Sequence, residues 1–417
     1  MKHLYCSLLL PVLFFSASLR AQVFINEVSH TNASINNNEV AQPEDWIELY
    51  NAGSSTVNLN HYSISKPNGK EWHFPSMTIY SHGYLVLLAS GRDTIISGVF
   101  RHTSIKISAD DYKLTLKNDL GAVIDEYYIQ PSLQTDHSYG RNPDGSSNWC
   151  FFKTPTPGAS NTSSSCYAGY EPAAVISGTG GFFTGPQTIN LSSASGEVHY
   201  TEDGSIPTLA SPVYTGPITL TTTKVLAART FSTNGLLPGP VAKKTFFINE
   251  SNLDVPVFSL TIDSLDLFDS LTGMYVEGPA ADSVLPHYGA NYWKDIEKPC
   301  YIEYFDKNKI KQFSTPAGLK IFGGYSRAFA QKSFKVKCRA HYGEPEVNCA
   351  LIPEKKYINT YRDIILRNGG TDNSGTHFRD AFMQRVMKKQ HVDYMAYEPA
   401  VVYLNGNFWG FYEIRER

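Results

Sequence analysis

Between residues 23 and 248 no helical period is sustained. Short runs of alternating apolar and polar residues are instead broken every few positions by Gly, Pro, Asn or Asp. Val23-Phe24-Ile25-Asn26-Glu27-Val28, Asp45-Trp46-Ile47-Glu48-Leu49-Tyr50-Asn51, Tyr84-Leu85-Val86-Leu87-Leu88 and Lys113-Leu114-Thr115-Leu116 are such runs. Asn118-Asp119-Leu120-Gly121 is a turn before Ala122-Val123-Ile124-Asp125. Period-two words separated by turn residues predict antiparallel β-sandwiches. The 26 Tyr and 23 Phe agree with that, since aromatics suit a pleated, half-buried surface. A length of 417 residues exceeds one core and predicts two to four domains.

A formal net charge of -3 gives no global attraction to nucleic acid or anionic membrane, so any anion site must be local. The N-terminus reads as an export signal over residues 1–21: Lys2 and His3 precede an apolar run from Leu8 to Phe15, then small residues and Arg20-Ala21-Gln22. That run is too short to span a bilayer, and no later segment is long and apolar enough. A secreted or cell-surface protein without a transmembrane segment is expected. Cys6 leaves with the signal. Cys150 and Cys166 bracket a Pro/Gly/Ser-rich loop and suggest a disulfide, worth about 3 kcal/mol for a loop of that size. Cys338 and Cys349 flank His341-Tyr342-Gly343-Glu344-Pro345, which reads as a hairpin tip and offers a second bridge, leaving Cys300 unpaired. No Cys pairs carry the His spacing of a zinc site.

The first segment, residues 22–160, resembles the lamin-tail domain, an immunoglobulin-like sandwich. The resemblance rests on Ile25-Asn26-Glu27-Val28, on Asp45 to Asn51, and on Ser138-Tyr139-Gly140-Arg141 through Thr156-Pro157-Gly158-Ala159-Ser160-Asn161. It implies a binding or spacing module. Glu27, Asp45 and Glu48 are candidates for an acidic metal cluster; the plainer reading makes them turn, cap and hairpin-partner residues on a solvated sheet face. A Ser/Thr-rich linker, residues 161–169, follows. Residues 170–249 contain Val198-His199-Tyr200-Thr201-Glu202-Asp203-Gly204-Ser205-Ile206-Pro207-Thr208, a strand running into an Asp-Gly turn. This resembles the small sandwich appended to chitobiases and β-hexosaminidases. A glycosidase needs two carboxyls flanking a sugar cleft, and this segment offers no supported second one. Asp203 is read as a turn former bonded to its own backbone.

From Val255 the texture changes. A strand over Val257 to Ile262, a helix start at Ser264, and a hairpin around Asp306-Lys307-Asn308 are expected. Strands at Leu319-Lys320-Ile321-Phe322 and Ser333-Phe334-Lys335-Val336-Lys337 join through Gly323-Gly324 and Ser326-Arg327. Thr376 is expected to cap a helix over residues 377 to about 389, with Phe378, Phe382 and Val386 on one face. Asn405-Gly406 marks a closing hairpin. A nucleotide site needs a turn whose amides approach phosphates, a fixed cation, and a helix that orients it. Gly323, Gly324 and Ser326 supply such a turn, and Arg327, Lys332, Lys335 and Lys337 supply charge. A solvated sheet face accounts for the same basic strand.

Residues 255–417 resemble the N-terminal part of the CotH (spore coat protein H) kinase family, atypical exported protein kinases. The matching words are Gly318-Leu319-Lys320-Ile321-Phe322-Gly323-Gly324-Tyr325-Ser326-Arg327, Gln331-Lys332-Ser333-Phe334-Lys335, Ile365-Leu366-Arg367-Asn368-Gly369, Phe378-Arg379-Asp380-Ala381, and Val402 through Ile414. The resemblance implies phosphate transfer from ATP, with Mg, to serine on exported proteins. It places Lys332 at the ATP phosphates with Lys335 as runner-up, Arg327 assisting, and Arg379 or Asp380 orienting the cation. Glu416 matches a recurrent glutamate without a fixed role. Phe322-Gly323-Gly324 stands where Arg-Gly-Asn is usual, and the helix has no central glutamate. The catalytic aspartate and metal-holding acids are expected after Arg417, so the chain itself is expected not to catalyse. The expected fold is two immunoglobulin-like β-sandwiches followed by a partial α+β kinase-like domain. The rival reading is a non-catalytic adhesion protein or binder of cell-surface polysaccharide.

Overall fold

The computed structural model describes residues 22–108, 111–130, 133–251, 254–388, 390 and 392–415. The expected export signal and Glu416 lie outside these residues. The chain is mainly β, with several separate sheets. In the first module, seven strands run in the order Trp149–Phe152, Ser138–Arg141, Val23–Ser29, Trp46–Asn51, Tyr84–Leu88, Phe100–His102, Thr94–Ile96. They face a four-stranded sheet of Val123–Tyr128, Lys113–Lys117, Ser63–Ser65 and Glu71–His73. Alternation explains the facing: Leu114 and Leu116 are buried between the lysines, and they meet Ile25, Ile47, Leu49 and Leu87 in one core.

Glu27 and Glu48 do not lie on a solvated face. Both are fully buried cross-strand partners. The segment that leaves the sandwich folds back over them. Thr156 donates to Glu27 from its amide (3.1 and 3.2 Å) and its hydroxyl (3.0 Å), and the Gly158 amide donates to Glu48 at 2.6 Å. Asp144 accepts from the Asn161 amide at 3.0 Å and the Ser160 hydroxyl at 2.5 Å. Strand alternation alone does not foresee this second covering. Asp45 accepts from the Asn32 amide, thirteen residues earlier in the chain, at 3.0 Å. Cys150 and Cys166 form the expected disulfide. Cys300, Cys338 and Cys349 are free thiols; Val347–Asn348 pairs with Thr360–Tyr361, so residues 338–349 are not the simple hairpin tip that suggested a bridge.

The second module is a four-stranded sheet, Gly181–Phe183, Ala242–Ile248, Lys224–Phe231 and Glu197–Thr201, packed on two strand pairs around Ile189, Leu191, Ile218, Leu220 and Leu226. Asp203 accepts from the Ser205 amide at 3.0 Å, as a turn former should. Gly204 has φ +78°, and a Cβ there would lie 2.4 Å from Thr261 of the third module. That close approach requires glycine.

The third module is a closed barrel in the order Val257–Ile262, Lys298–Phe305, Lys311–Phe322, Ser333–Lys337, Asp363–Arg367, Asn407–Arg415, Tyr397–Leu404. Parallel pairing of Val257 with Val401 through Leu260 with Leu404 closes it. Phe334, Val336, Ile364, Leu366 and Ile414 fill the interior. By the two-residue period, Ser333, Lys335, Lys337, Asp363, Arg367, Glu413 and Arg415 therefore face outward. Helix is confined, among the described residues, to Ser264–Phe268 and Arg379–Met387 with short 3-10 turns. Thr376 does not cap the second helix; the Asp372 carboxylate accepts from the Arg379 amide at 3.0 Å and from the Thr376 hydroxyl at 2.6 Å. Only Ala381 of that helix is buried, and Phe378, Phe382 and Val386 are exposed rather than packed inward.

Modules two and three share a small core of Phe182, Phe247, Val257, Phe305, Val401 and Tyr403, with Phe182 stacked on Phe247 at 4.2 Å. Buried Glu303 accepts from the Thr245 amide at 2.8 Å, and the Thr245 and Ser259 hydroxyls meet at 2.7 Å. A fully buried phenylalanine in such a contact is worth roughly 3–5 kcal/mol on truncation.

Candidate phosphate-binding cleft

The long strand ends at Phe322, where the chain must turn sharply to reach the basic strand. Gly323 takes φ +113°, and a Cβ there would come within 2.8 Å of the Ser326 hydroxyl. A Cβ on Gly324 would meet nothing within 4 Å, so that backbone faces open space. A single 3-10 turn, Tyr325–Ala328, follows. Arg327 folds back over it: Nε donates to the Gly323 carbonyl at 2.7 Å, and Nη1 to the Tyr292 and Trp293 carbonyls at 3.1 and 3.3 Å.

The opposite wall comes from the end of Asp363–Arg367. Ser333 donates to Asn368 Oδ1 at 2.9 Å and accepts from the Asn368 amide at 3.0 Å. Buried Asn368 also accepts from the Gly370 amide at 3.0 Å. Gly369 and Gly370 have φ +81° and +62°, and a Cβ on Gly370 would lie 2.7 Å from Arg367 Nη2. Glycine there leaves room for the guanidinium. The two walls enclose a cleft of about 390 Å³ lined by Phe322, Gly323, Gly324, Ser326, Arg327, Ser333, Arg367 and Gly370.

Arg367 is held from behind. Its Nη1 pairs with Asp380 Oδ2 on the helix and lies 3.9 Å from Glu413 Oε2. Arg415 Nη2 contacts the same Asp380 oxygen at 2.9 Å and Glu413 Oε2 at 3.0 Å. Two arginines and two carboxylates thus form one cluster. Burial raises the Glu413 carboxyl, against the pull of Arg415 and Arg367. Asp372, which orders the helix start, is held down to about 2 by the Thr376 hydroxyl and the Arg379 amide.

Of the residues nominated from sequence, Gly323, Gly324, Ser326 and Arg327 line this cleft together. Asp380 orients a cation from the helix, but that cation is Arg367 rather than Lys332 or Lys335. Lys335 is nearly buried and pairs with Asp363 at 2.7 Å. Lys332 lines a separate groove of about 640 Å³ with Tyr275, Tyr292 and Phe329. Arg379 contacts Asp372 at 3.2 Å. Arg367, Arg415 and Glu413 carried no role in the sequence reading. The available signal was Arg367 at the end of an alternating strand, directly before Asn368-Gly369-Gly370. Among the described residues no three His, Cys, Asp or Glu side chains converge to hold a metal.

No curated protein matches the chain. Three family models do match it, in chain order: the Lamin Tail Domain over residues 16–130, the Chitobiase/beta-hexosaminidase C-terminal domain over 178–238, and CotH kinase protein over 319–417, a span that contains the whole cleft.

Proposed function

We propose that the cleft binds the phosphates of ATP, and that the chain contributes the nucleotide-holding part of a protein that phosphorylates serine on other exported proteins. The observation that carries the reading is Arg367, braced by Asp380 and opening onto the Gly323-Gly324 turn. A guanidinium prepaid in orientation offers planar, charge-assisted hydrogen bonds to phosphate oxygens. The exposed Gly324 backbone supplies amides that a Cβ would not crowd, and Arg327 fixes the turn while adding positive charge. The match to the CotH kinase model supports the same chemistry. ATP fits this set of residues and would bring the phosphoryl group to be transferred. The described residues lining the cleft include no carboxylate that could hold magnesium beside the phosphates. In this reading the two sandwiches serve as binding or spacing modules; cell-surface polysaccharide is the ligand class of the rival, non-catalytic reading.

The test is titration of the chain with a fluorescent ATP analogue and competition by tripolyphosphate and by adenosine. Saturable binding displaced by tripolyphosphate is expected. Arg367→Gln should weaken it about tenfold, as loss of a charge-assisted contact worth roughly 1.5 kcal/mol requires. Equal binding by the wild-type chain and Arg367→Gln would overturn the assignment.

A further inference from the structure

Lys332 is the most enclosed lysine near the cleft, only 4% exposed. Its ammonium donates to the Arg327 carbonyl at 2.7 Å and to the Phe329 carbonyl at 2.9 Å. It lies 4.0 Å from the centre of the Tyr292 ring and 5.0 Å from that of Tyr275. The Lys332 backbone is fixed as well: its amide donates to the Tyr275 hydroxyl at 2.9 Å and its carbonyl accepts from the Tyr412 hydroxyl at 2.9 Å. Burial lowers the ammonium to about 8, the cost of taking its charge out of water.

Both carbonyls that Lys332 grips belong to the turn whose other side forms the cleft wall. A 3-10 turn of four residues has few bonds of its own; here the Arg327 amide reaches the Gly324 carbonyl at 3.0 Å and the Phe329 amide the Ser326 carbonyl at 3.2 Å. With two glycines before it, such a turn depends on side-chain ties: the Arg327 guanidinium holds its start at the Gly323 carbonyl, and Lys332 holds its end at the Arg327 and Phe329 carbonyls. We infer that Lys332 is a positioning residue: a cationic strut, clamped by Tyr275 and Tyr292, that holds the Gly323-Gly324 turn in the shape that receives phosphate, without touching the phosphate itself. The inference rests on the phosphate-binding reading for its consequence, though not for its geometry. It separates two tasks among the cations around the cleft. Arg367 faces the ligand, and Lys332 shapes the wall from behind.

The test is hydrogen exchange at the Arg327 and Phe329 amides in the ligand-free chain, alongside tripolyphosphate affinity. Lys332→Met should speed exchange at both amides about tenfold and weaken tripolyphosphate about tenfold, while Lys332→Arg, which keeps a cation able to reach both carbonyls, restores most of each. Arg367→Gln should weaken tripolyphosphate with exchange at those amides unchanged. A Lys332→Met chain that loses affinity with unaltered exchange would make Lys332 a direct ligand and overturn the strut. Should Lys332→Met fail to fold, Tyr292→Leu, which removes the nearer ring only, must show the same joint change in exchange and affinity; exchange unaltered there also overturns it. Absence of any tripolyphosphate binding by the wild-type chain would defeat the phosphate reading while leaving the exchange comparison to decide the strut.

Discussion

The first module and the barrel both bury charge, and they neutralise it differently. In the first module Glu27 and Glu48 lie opposite each other on adjacent strands, with Asp144 nearby and every donor to them neutral. Burial raises both glutamates, Glu27 to about 7 and Glu48 to about 9. In the barrel Asp380 and Glu413 meet Arg367 and Arg415, two charges of each sign. Carboxyls satisfied by neutral donors and protons make a fastening, here closed on the segment 156–161. Ions satisfied by each other can present one of their number to an open cleft, as Arg367 is presented. The contrast separates a structural use of buried charge from one suited to binding.

The comparison breaks most visibly at Glu413. It is the partner that leaves Arg415, 2% exposed, underpaired when removed. Glu413→Ala should cost about 3 kcal/mol or more in denaturant unfolding of the barrel. The double change Glu413→Leu with Arg415→Met should recover much of that loss, because desolvation of both ions is then avoided. A single-mutant cost below about 1 kcal/mol would mean the cluster is solvated and Arg367 not rigidly held.

A pH series probes the other side of the comparison. Both glutamates rise on folding from an ordinary 4.5, so the native state binds more protons than the unfolded chain above that value. Their contribution to stability is therefore whole below about pH 4.5 and is lost as pH climbs through about 7 and about 9. Protection of the Thr156 and Gly158 amides, corrected for intrinsic exchange, should fall steadily between pH 5 and 8. Glu48→Gln should flatten much of that slope while changing protection at pH 5 by less than about 1 kcal/mol. A flat profile in the unaltered chain would place a cation among these carboxyls.

What was legible in the sequence follows the same division. Period-two words located the strands of both sandwiches and of the barrel, and Asn405-Gly406 closes its hairpin between Tyr397–Leu404 and Asn407–Arg415. The Gly323-Gly324 turn was legible because sharp reversals leave a local mark. Burial of Glu27 and Glu48 was not, because it depends on a segment more than a hundred residues away lying over the sheet. The same limit hid Arg367: its partner Asp380 is thirteen residues on, and only the packing of the helix against the barrel joins them. Lys332 and Arg367 are both cations in plausible places along the chain. Which one faces the cleft is decided by where each leaves the backbone, Arg367 from the outer face of its strand and Lys332 from the residue just before one, and not by composition.

The finest distinction concerns Lys335, which shares the outer face with Arg367 but is drawn the other way by Asp363. Asp363 keeps 33% of its side-chain surface exposed and Lys335 only 11%, so the pair lies between a solvated and a buried one and Asp363→Asn should cost about 1–2 kcal/mol in stability. If phosphate is met by Arg367 alone, freeing Lys335 in this way leaves tripolyphosphate affinity unchanged within about twofold, since a released lysine reaches the cleft only through solvent. A gain of fivefold or more in Asp363→Asn would bring Lys335 back as a second phosphate ligand, restrained in the native chain by its aspartate. Arg367→Gln in the Asp363→Asn background then separates the two: affinity that survives the loss of Arg367 belongs to Lys335, and affinity that falls with it never did.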